Sequence, residues 1–199
     1  MRYTKAKDKL SRKFGELLSG MPTFELNKRP YPPGQHGQKR TKSSEYGSLL
    51  LEKQKLKHCY GIPERQFRRY FYKANKIKGP TSEILIQLLE TRLDNLVYRM
   101  GFAPTLSSAR QLVNHGHVLV DNKKIDIPSY AVKPNTEISL REKAQKLEVV
   151  KNAIKNNPAV LEYISIQKDQ FKGKLLERPQ RAQIPVNVND RLIVEFYSR

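Results

Sequence analysis

His115 and His117, two residues apart, with Lys123 and Lys124 close behind, are the first side chains in this 199-residue chain whose types could do chemistry. An imidazole pair can move protons. Glu90 and Asp94 offer a second arrangement, since carboxylates four apart share one helix face, here with Arg92 between them. Neither reads as catalytic. Groups two apart at a helix exit diverge or donate hydrogen bonds to phosphate, and the carboxylates are better used to fix Arg92. Asp94 with Arg92 or Arg110 makes a plausible structural ion pair. No P-loop, dinucleotide-binding glycine pattern or Gly-x-Ser-x-Gly elbow occurs, and there is no Trp. What remains is a polar, basic set: Arg92, Arg99, Arg110, Gln111, His115, His117, Lys123 and Lys124. On a small apolar frame, such a face suits phosphate binding.

The frame that must position these residues is legible between Leu89 and Pro128. Leu89, Leu93, Leu96, Val97 and Met100 recur at helical spacing, and Gly101 supplies the left-handed residue that ends a helix. Ser107 or Ser108 is placed to cap a second helix, with Ala109, Leu112 and Val113 inward and His115-Gly116-His117 at its close. Val118-Leu119-Val120, the turn pair Asp121-Asn122, and Lys123-Lys124-Ile125 then predict a hairpin. Arg110 lies near the positive end of the second helix, which favours phosphate contact, with the amides of Ser107 and Ser108 adding to it. Asn122, Lys123 and Lys124 are set to track a second run of phosphates.

Composition narrows the partner. The chain has 38 Lys and Arg against 19 Asp and Glu, a net charge of +19, and a mean hydropathy of −0.69. Such a field concentrates polyanions. No run approaches the ~18 apolar residues of a membrane span, so nucleic acid is favoured over a membrane surface. Cys59 is the only cysteine, which excludes an intrachain disulfide and fits a reducing compartment. There is no apolar stretch after Met1 of the kind that marks a secretory signal.

Along the chain, residues 1–45 hold eleven Lys and Arg and four Asp and Glu without an apolar period, and their prolines exclude long helices. The stretch KRPYPPGQHGQKR offers Arg29, Tyr31, Gln35, His36, Lys39 and Arg40. Tyr31 and His36 are flat groups able to stack, presented by stiff prolines, so this loop is expected to order on RNA. Ser44 to Cys59 predicts a helix with Lys53, Lys55 and Lys57 on its outer face. Pro63 and Glu64 open another, through about Ile77, with Phe67, Tyr70 and Phe71 as core. Arg65, Arg68 and Arg69 fall in one turn and repel each other unless anions sit nearby. Thr81 or Ser82 caps the next helix. Thr136 to Leu140 reads as a strand, Ala144 to Asn156 as a helix with Leu147, Val150 and Ile154 in one stripe, and IPVNVNDRLIVEFYSR as short β-alternating runs.

The motifs LETRLDNLVYRMGF and SSARQLVNHGHVLVDNKKIDIPSY resemble the RNA-binding module called the S-four domain. KRPYPPGQHGQKR, EKQKLKHCYGIPERQFRRYF and the closing LIVEFYSR extend the resemblance over nearly the whole chain, to the bacterial or organellar S-four family of small-subunit ribosomal proteins. The resemblance implies an α+β, mostly helical fold: a helical N-terminal domain with an inserted small α+β S-four domain. Residues 1–45 would be a basic extension, and 46–91 a helical rRNA-binding domain completed by the tail 175–199. The S-four-type domain would be 92–155, and 156–174 a connecting segment. The implied role is structural and non-enzymatic: direct binding of a multi-helix junction in the 5′ domain of small-subunit rRNA, nucleation of body assembly, and support of translational accuracy. The implied partners are that rRNA, the fifth small-subunit protein and mRNA near its channel, with no membrane and no small-molecule substrate.

Two features depart from common members of the family. Many carry four cysteines that hold zinc. Here Cys-x-x-Cys is absent and His36, His58, His115 and His117 are scattered, so no metal and no cofactor is expected. Asp121-Asn122 stands where Asn-Gly is common, tolerated because Asn adopts the left-handed conformation. Rival classes sharing the module are RNA-modifying enzymes and stress-type ribosome-associated factors. After residue 155 too little chain remains for a catalytic domain, and a stress factor would not need PYPPGQHG.

Overall fold

The structure, a computed structural model, describes residues 6–18, 29–39, 44–156 and 161–198. Contacts divide the chain into two units: the described residues of Met1–Ile84 with Pro185–Arg199, and those of Leu85–Ile184.

In the first unit, α1 (Asp8–Phe14) precedes α2 (Glu45–Cys59) and α3 (Glu64–Asn75). The Ser44 hydroxyl accepts from the Gly47 N–H at 3.1 Å and caps α2. Leu49 and Leu56 of α2 and Phe67, Phe71 and Ala74 of α3 are buried, while Tyr70 is only half-buried. Of the basic extension, residues 6–18 make contacts within the protein. Leu10 and Leu18 are buried, Glu16 pairs with Lys55 at 2.8 Å, and Phe14 sits 6.1 Å from His58, ring to ring.

The C-terminal segment corrects the strand expectation. Asp190–Ser198 is a helix, α9, packed on α2. Its Ile193, Phe196 and Tyr197 also satisfy helical spacing, and burial of that stripe outweighs the β-branched Ile193-Val194 pair. Tyr197 stacks on Phe71 at 4.5 Å and donates to the Glu64 carboxylate at 2.9 Å. Burial, and then the Glu64 acceptor, raise its pKa.

In the second unit, the helix predicted to run unbroken from Leu89 to Met100 is two. α4 (Thr81–Glu90) stops at Thr91, and α5 (Leu93–Arg99) begins after an extended Arg92. The cause is tertiary. The N–H groups of Leu93 and Asp94 donate to Tyr130 and Pro128 oxygens at 2.9 and 3.1 Å, and Val132 N–H returns to Thr91 at 2.9 Å. Gly101 ends α5 with φ 75° as expected. α6 (Leu106–Asn114) is capped by Thr105, not Ser107 or Ser108: its hydroxyl accepts from the Ser108 N–H at 3.2 Å.

β1 (Val118–Val120) and β2 (Lys123–Lys124) pair as the predicted hairpin, Val120 opposite Lys123. Asp121 and Asn122 both take positive φ, 46° and 62°, as a primed two-residue turn requires. The antiparallel sheet runs β2-β1-β3-β5-β4, with β3 (Glu137–Leu140), β4 (Ile164–Gln167) and β5 (Lys172–Leu175). β4 and the start of β5 come from the segment read as a connector. Gly173 on β5 leaves room for Met100, whose sulfur would stand 2.6 Å from an added Cβ. The single helix predicted over Ala144–Asn156 is also divided, into α7 (Glu142–Gln145) and α8 (Glu148–Lys155), with Leu147 at the break.

The core of this unit joins α5, α6 and the sheet through Leu96, Val97, Phe102, Val113, Val118 and Ile138. At its edge lie two buried ion clusters. Asp94 accepts from Arg92 at 3.0 and 2.7 Å, from Arg110 at 3.0 Å, and from the Asn95 N–H at 3.0 Å. Glu90 accepts from Arg99 at 2.6 Å and from the Tyr163 hydroxyl at 2.7 Å. Burial, and then the Glu90 charge, push the Tyr163 pKa up.

Removing one charge from such a cluster leaves its partners charged in a dry place. Asp94→Asn is therefore expected to destabilise the fold by about 3–5 kcal/mol, read as a lowered urea midpoint at unchanged slope. A second expectation concerns His58. Burial, then Lys57 and Lys13, opposed by Glu64, lower its pKa from 6.5 to about 4. Between these values the unfolded chain binds a proton that the folded one does not. Its contribution is thus complete above pH 6.5 and is lost as pH falls towards 4. Melting temperature should drop across that window, and His58→Gln should flatten the drop.

Candidate nucleic-acid interface

Among the described residues, one set of cations is held by carboxylates. Lys53 is buried, pairs with Glu64 at 2.8 Å, and rests 4.6 Å from the Phe196 ring centre. Lys57 reaches the same carboxylate at 3.2 Å. Burial would raise the Glu64 pKa, but hydrogen bonds from Lys53 and Tyr197 and the Lys53 charge bring it below its ordinary value. With Lys55 held by Glu16, the expected outer lysine face of α2 is instead turned into the unit. Arg92 and Arg110, expected on the exposed basic face, are 1% and 7% exposed and belong to the Asp94 cluster. Arg99 likewise belongs to Glu90. The helical spacing of these residues is visible in the sequence; the depth of their positions is not.

The remaining candidates face outward. Arg65, Arg68 and Arg69 are exposed along α3, where Arg68 donates to the Tyr72 hydroxyl at 3.1 Å and lies 5.5 Å from its ring centre. Arg29, Gln35, His36 and Lys39 are exposed. Tyr31 is half-buried, with the Arg12 guanidinium 5.0 Å from its ring centre, so one face of the predicted stacking group is already used. Arg40 lies outside the described residues.

In the second unit the α6 face and the hairpin come together. Ser107, Gln111, His115, Asn122, Lys123 and Lys124 are exposed, and Ser108 and His117 half-buried. The Ser108 amide is taken by Thr105, so it does not add to an anion site as expected. Gly116 holds the arrangement. Its φ of 68° turns the chain between the two histidines, and the Lys124 side chain crosses it where any Cβ would stand. The rings of His115 and His117 are 6.1 Å apart.

Arg141 completes this cluster, a residue that sequence reasoning misses. Its N–H donates to the His117 carbonyl at 2.9 Å, and its guanidinium donates to the Gly116 carbonyl at 3.5 Å. Burial first, then the neighbouring His115, Arg141 and Lys143 charges, lower the His117 pKa. The only sequence signal is Arg141-Glu142-Lys143 directly after a predicted strand, and nothing local shows that β3 returns to lie beside β1. No group of three or more His, Cys, Asp or Glu among the described residues could hold a metal ion, nor is any described helix long and apolar enough to cross a membrane.

A helix-turn-hairpin face of imidazoles, amides and cations on a closed apolar core, with Asp94 and Glu90 buried beneath it, defines a nucleic-acid-binding protein. Comparison with known proteins gives the family. Residues 2–90 match the Ribosomal protein S4/S9 N-terminal domain, and residues 91–138 match the S4 domain. The chain is 53% identical to Small ribosomal subunit protein uS4 of Geobacillus sp. (strain WCH70). It is 54% identical to that of Lysinibacillus sphaericus (strain C3-41) and 55% to that of Bacillus cereus (strain AH820). Each match spans 100% of this chain and 99% of the relative. The chain belongs to the uS4 family of small ribosomal subunit proteins. Its role is structural and non-enzymatic.

Lys123→Glu with Lys124→Glu is expected to weaken RNA binding without lowering the melting temperature. Measured as log K against log salt, the slope should shrink by roughly 2. Arg110→Glu should behave differently and unfold the unit, since it sets a second carboxylate against Asp94.

Proposed function

We propose that this protein is a primary rRNA-binding component of the bacterial small subunit. In this reading its cationic faces grip a multi-helix junction in the 5′ domain of the rRNA through shape and phosphate contacts, and so nucleate assembly of the body. The fifth small-subunit protein is its neighbour, through which it supports accurate translation, and it lies near the channel that mRNA follows, in cytoplasmic ribosomes. The loop over residues 29–39 seats on the RNA.

The observation that carries this reading is the sorting of cations within a family whose relatives are ribosomal. Lys53, Lys55, Arg92, Arg99 and Arg110 are held by carboxylates inside the fold. Arg65, Arg68, Arg69, Lys123 and Lys124 are displayed to solvent. Arginines three and four apart on one helix face cost about 0.2–0.5 kcal/mol per like-charged pair. Phosphates relieve that cost. If about six to ten phosphates are neutralised, affinity should fall roughly 10³- to 10⁵-fold between about 50 and 200 mM salt.

Chemical footprinting of the purified chain on naked small-subunit rRNA tests this, at about 0.3 M salt with excess competitor tRNA. Protection centred on one multi-helix junction of the 5′ domain is expected. Diffuse protection, lost to the competitor, would reduce the protein to a generic polybasic binder.

A further inference from the structure

Phosphate contacts leave one part of the second unit unexplained. Between α6 and the α7–α8 turn lies a groove of about 170 Å³. Gln111, His115 and His117 line it from α6 and its exit, and Leu147, Val149 and Val150 from the turn and α8. Leu147 and Val149 are 41% and 55% exposed, two aliphatic side chains side by side on a chain otherwise rich in charge. The volume is well below the roughly 300–1,000 Å³ of sites for drug-sized molecules. It suits a single planar ring system.

Outside the lining, two cations stand at the Gly116 backbone, between the histidines that line one end of the groove. Gly116 lies between the two histidines, and the Lys124 ammonium stands 3.0 Å from the position of a Gly116 Cβ. The Arg141 guanidinium is anchored to the Gly116 carbonyl at 3.5 Å. His117, shifted towards its neutral form by burial and then by the His115, Arg141 and Lys143 charges, offers both a donor and an acceptor.

Each simple occupant satisfies only half of this site. An aliphatic side chain from a protein would cover Leu147 and Val149 but strip water from the imidazoles and the carboxamide beside a cation pair. Inorganic phosphate would satisfy Lys124 and Arg141 and leave the aliphatic floor wet. A nucleotide satisfies both halves, because a base has an apolar face, polar edges and a phosphate attached.

We propose that this groove receives the base of one unpaired nucleotide of the bound RNA. The base lies on Leu147 and Val149 with its edge towards Gln111, and its phosphate rests at Lys124 and Arg141. The inference rests on the rRNA-binding reading and deepens it: besides the backbone, this unit reads one splayed-out base.

The test uses the full-length chain on small-subunit rRNA, probed with reagents that modify Watson–Crick edges and, separately, with hydroxyl radicals that report the backbone. The variants are Leu147→Ser with Val149→Ser, both at exposed positions, and Gln111→Ala, an exposed helical site where Ala is well tolerated. The expected result is one nucleotide whose base edge is protected by the wild type and exposed in both variants. The backbone footprint persists, and Kd rises roughly tenfold, equivalent to about 1.4 kcal/mol of lost contact. If backbone protection stays and no base changes, the groove proposal is overturned while the rRNA reading stands. Absence of any localised footprint with the wild type would remove both.

Discussion

Asp94 is the residue on which the second unit depends. A single carboxylate, itself buried, receives two guanidinium groups and a backbone N–H. Arg92 reaches it from an extended residue between α4 and α5, and Arg110 from the middle of α6. Three consecutive pieces of chain are thereby held at one point. A buried ion pair contributes little net stability against well-packed apolar groups, but breaking one is costly. Its value here is positional. It fixes α6 against α5, and α6 carries Gln111, His115 and the approach to Gly116.

The same economy of charge runs through the first unit. Lys53, in line with Leu49 and Leu56, would look like an error in a helix stripe. It is tolerated because its aliphatic stem packs inward while its ammonium meets Glu64 beside the Phe196 ring. Glu64 in turn accepts from Tyr197 on α9. In the first unit the half-exposed Glu64 holds Lys53 and Lys57, and in the second the buried Asp94 and Glu90 hold Arg92, Arg110 and Arg99. Among the exposed cations are those of α3 in the first unit and those of the hairpin in the second.

The exposed face is shaped by small backbone features as much as by charge. Asp121 and Asn122 both adopt the left-handed region, and the Asp121 carboxylate accepts from the Glu137 N–H at 3.1 Å. That bond ties the hairpin tip to β3. Gly116 then lets Lys124 fold back over the helix exit, next to Arg141. Phosphate contact needs cations in a stable pattern, and here the pattern comes from turns.

Much is legible from sequence because it depends on local periodicity and on total charge. The capped helix beginning at Ser44, the core residues Phe67 and Phe71, the αL glycines and the hairpin at 118–125 follow from side-chain spacing and turn chemistry. The +19 balance by itself disfavours most partners that are not polyanions. The dense motif between Leu89 and Tyr130 is enough to recognise the family. What tertiary structure decides is depth and company. Spacing assigns Arg92, Arg110 and Lys53 to a helix face but does not show that a carboxylate from elsewhere lies opposite. The break at Thr91–Arg92 is made by carbonyls of residues 128 and 130. The helix at 190–198 is chosen over a strand by the aromatic surface of α3. Arg141 joins the histidines only because β3 lies antiparallel to β1. Local sequence sets what each segment can form. Contacts between residues far apart in the chain determine which cations are structural and which are left exposed.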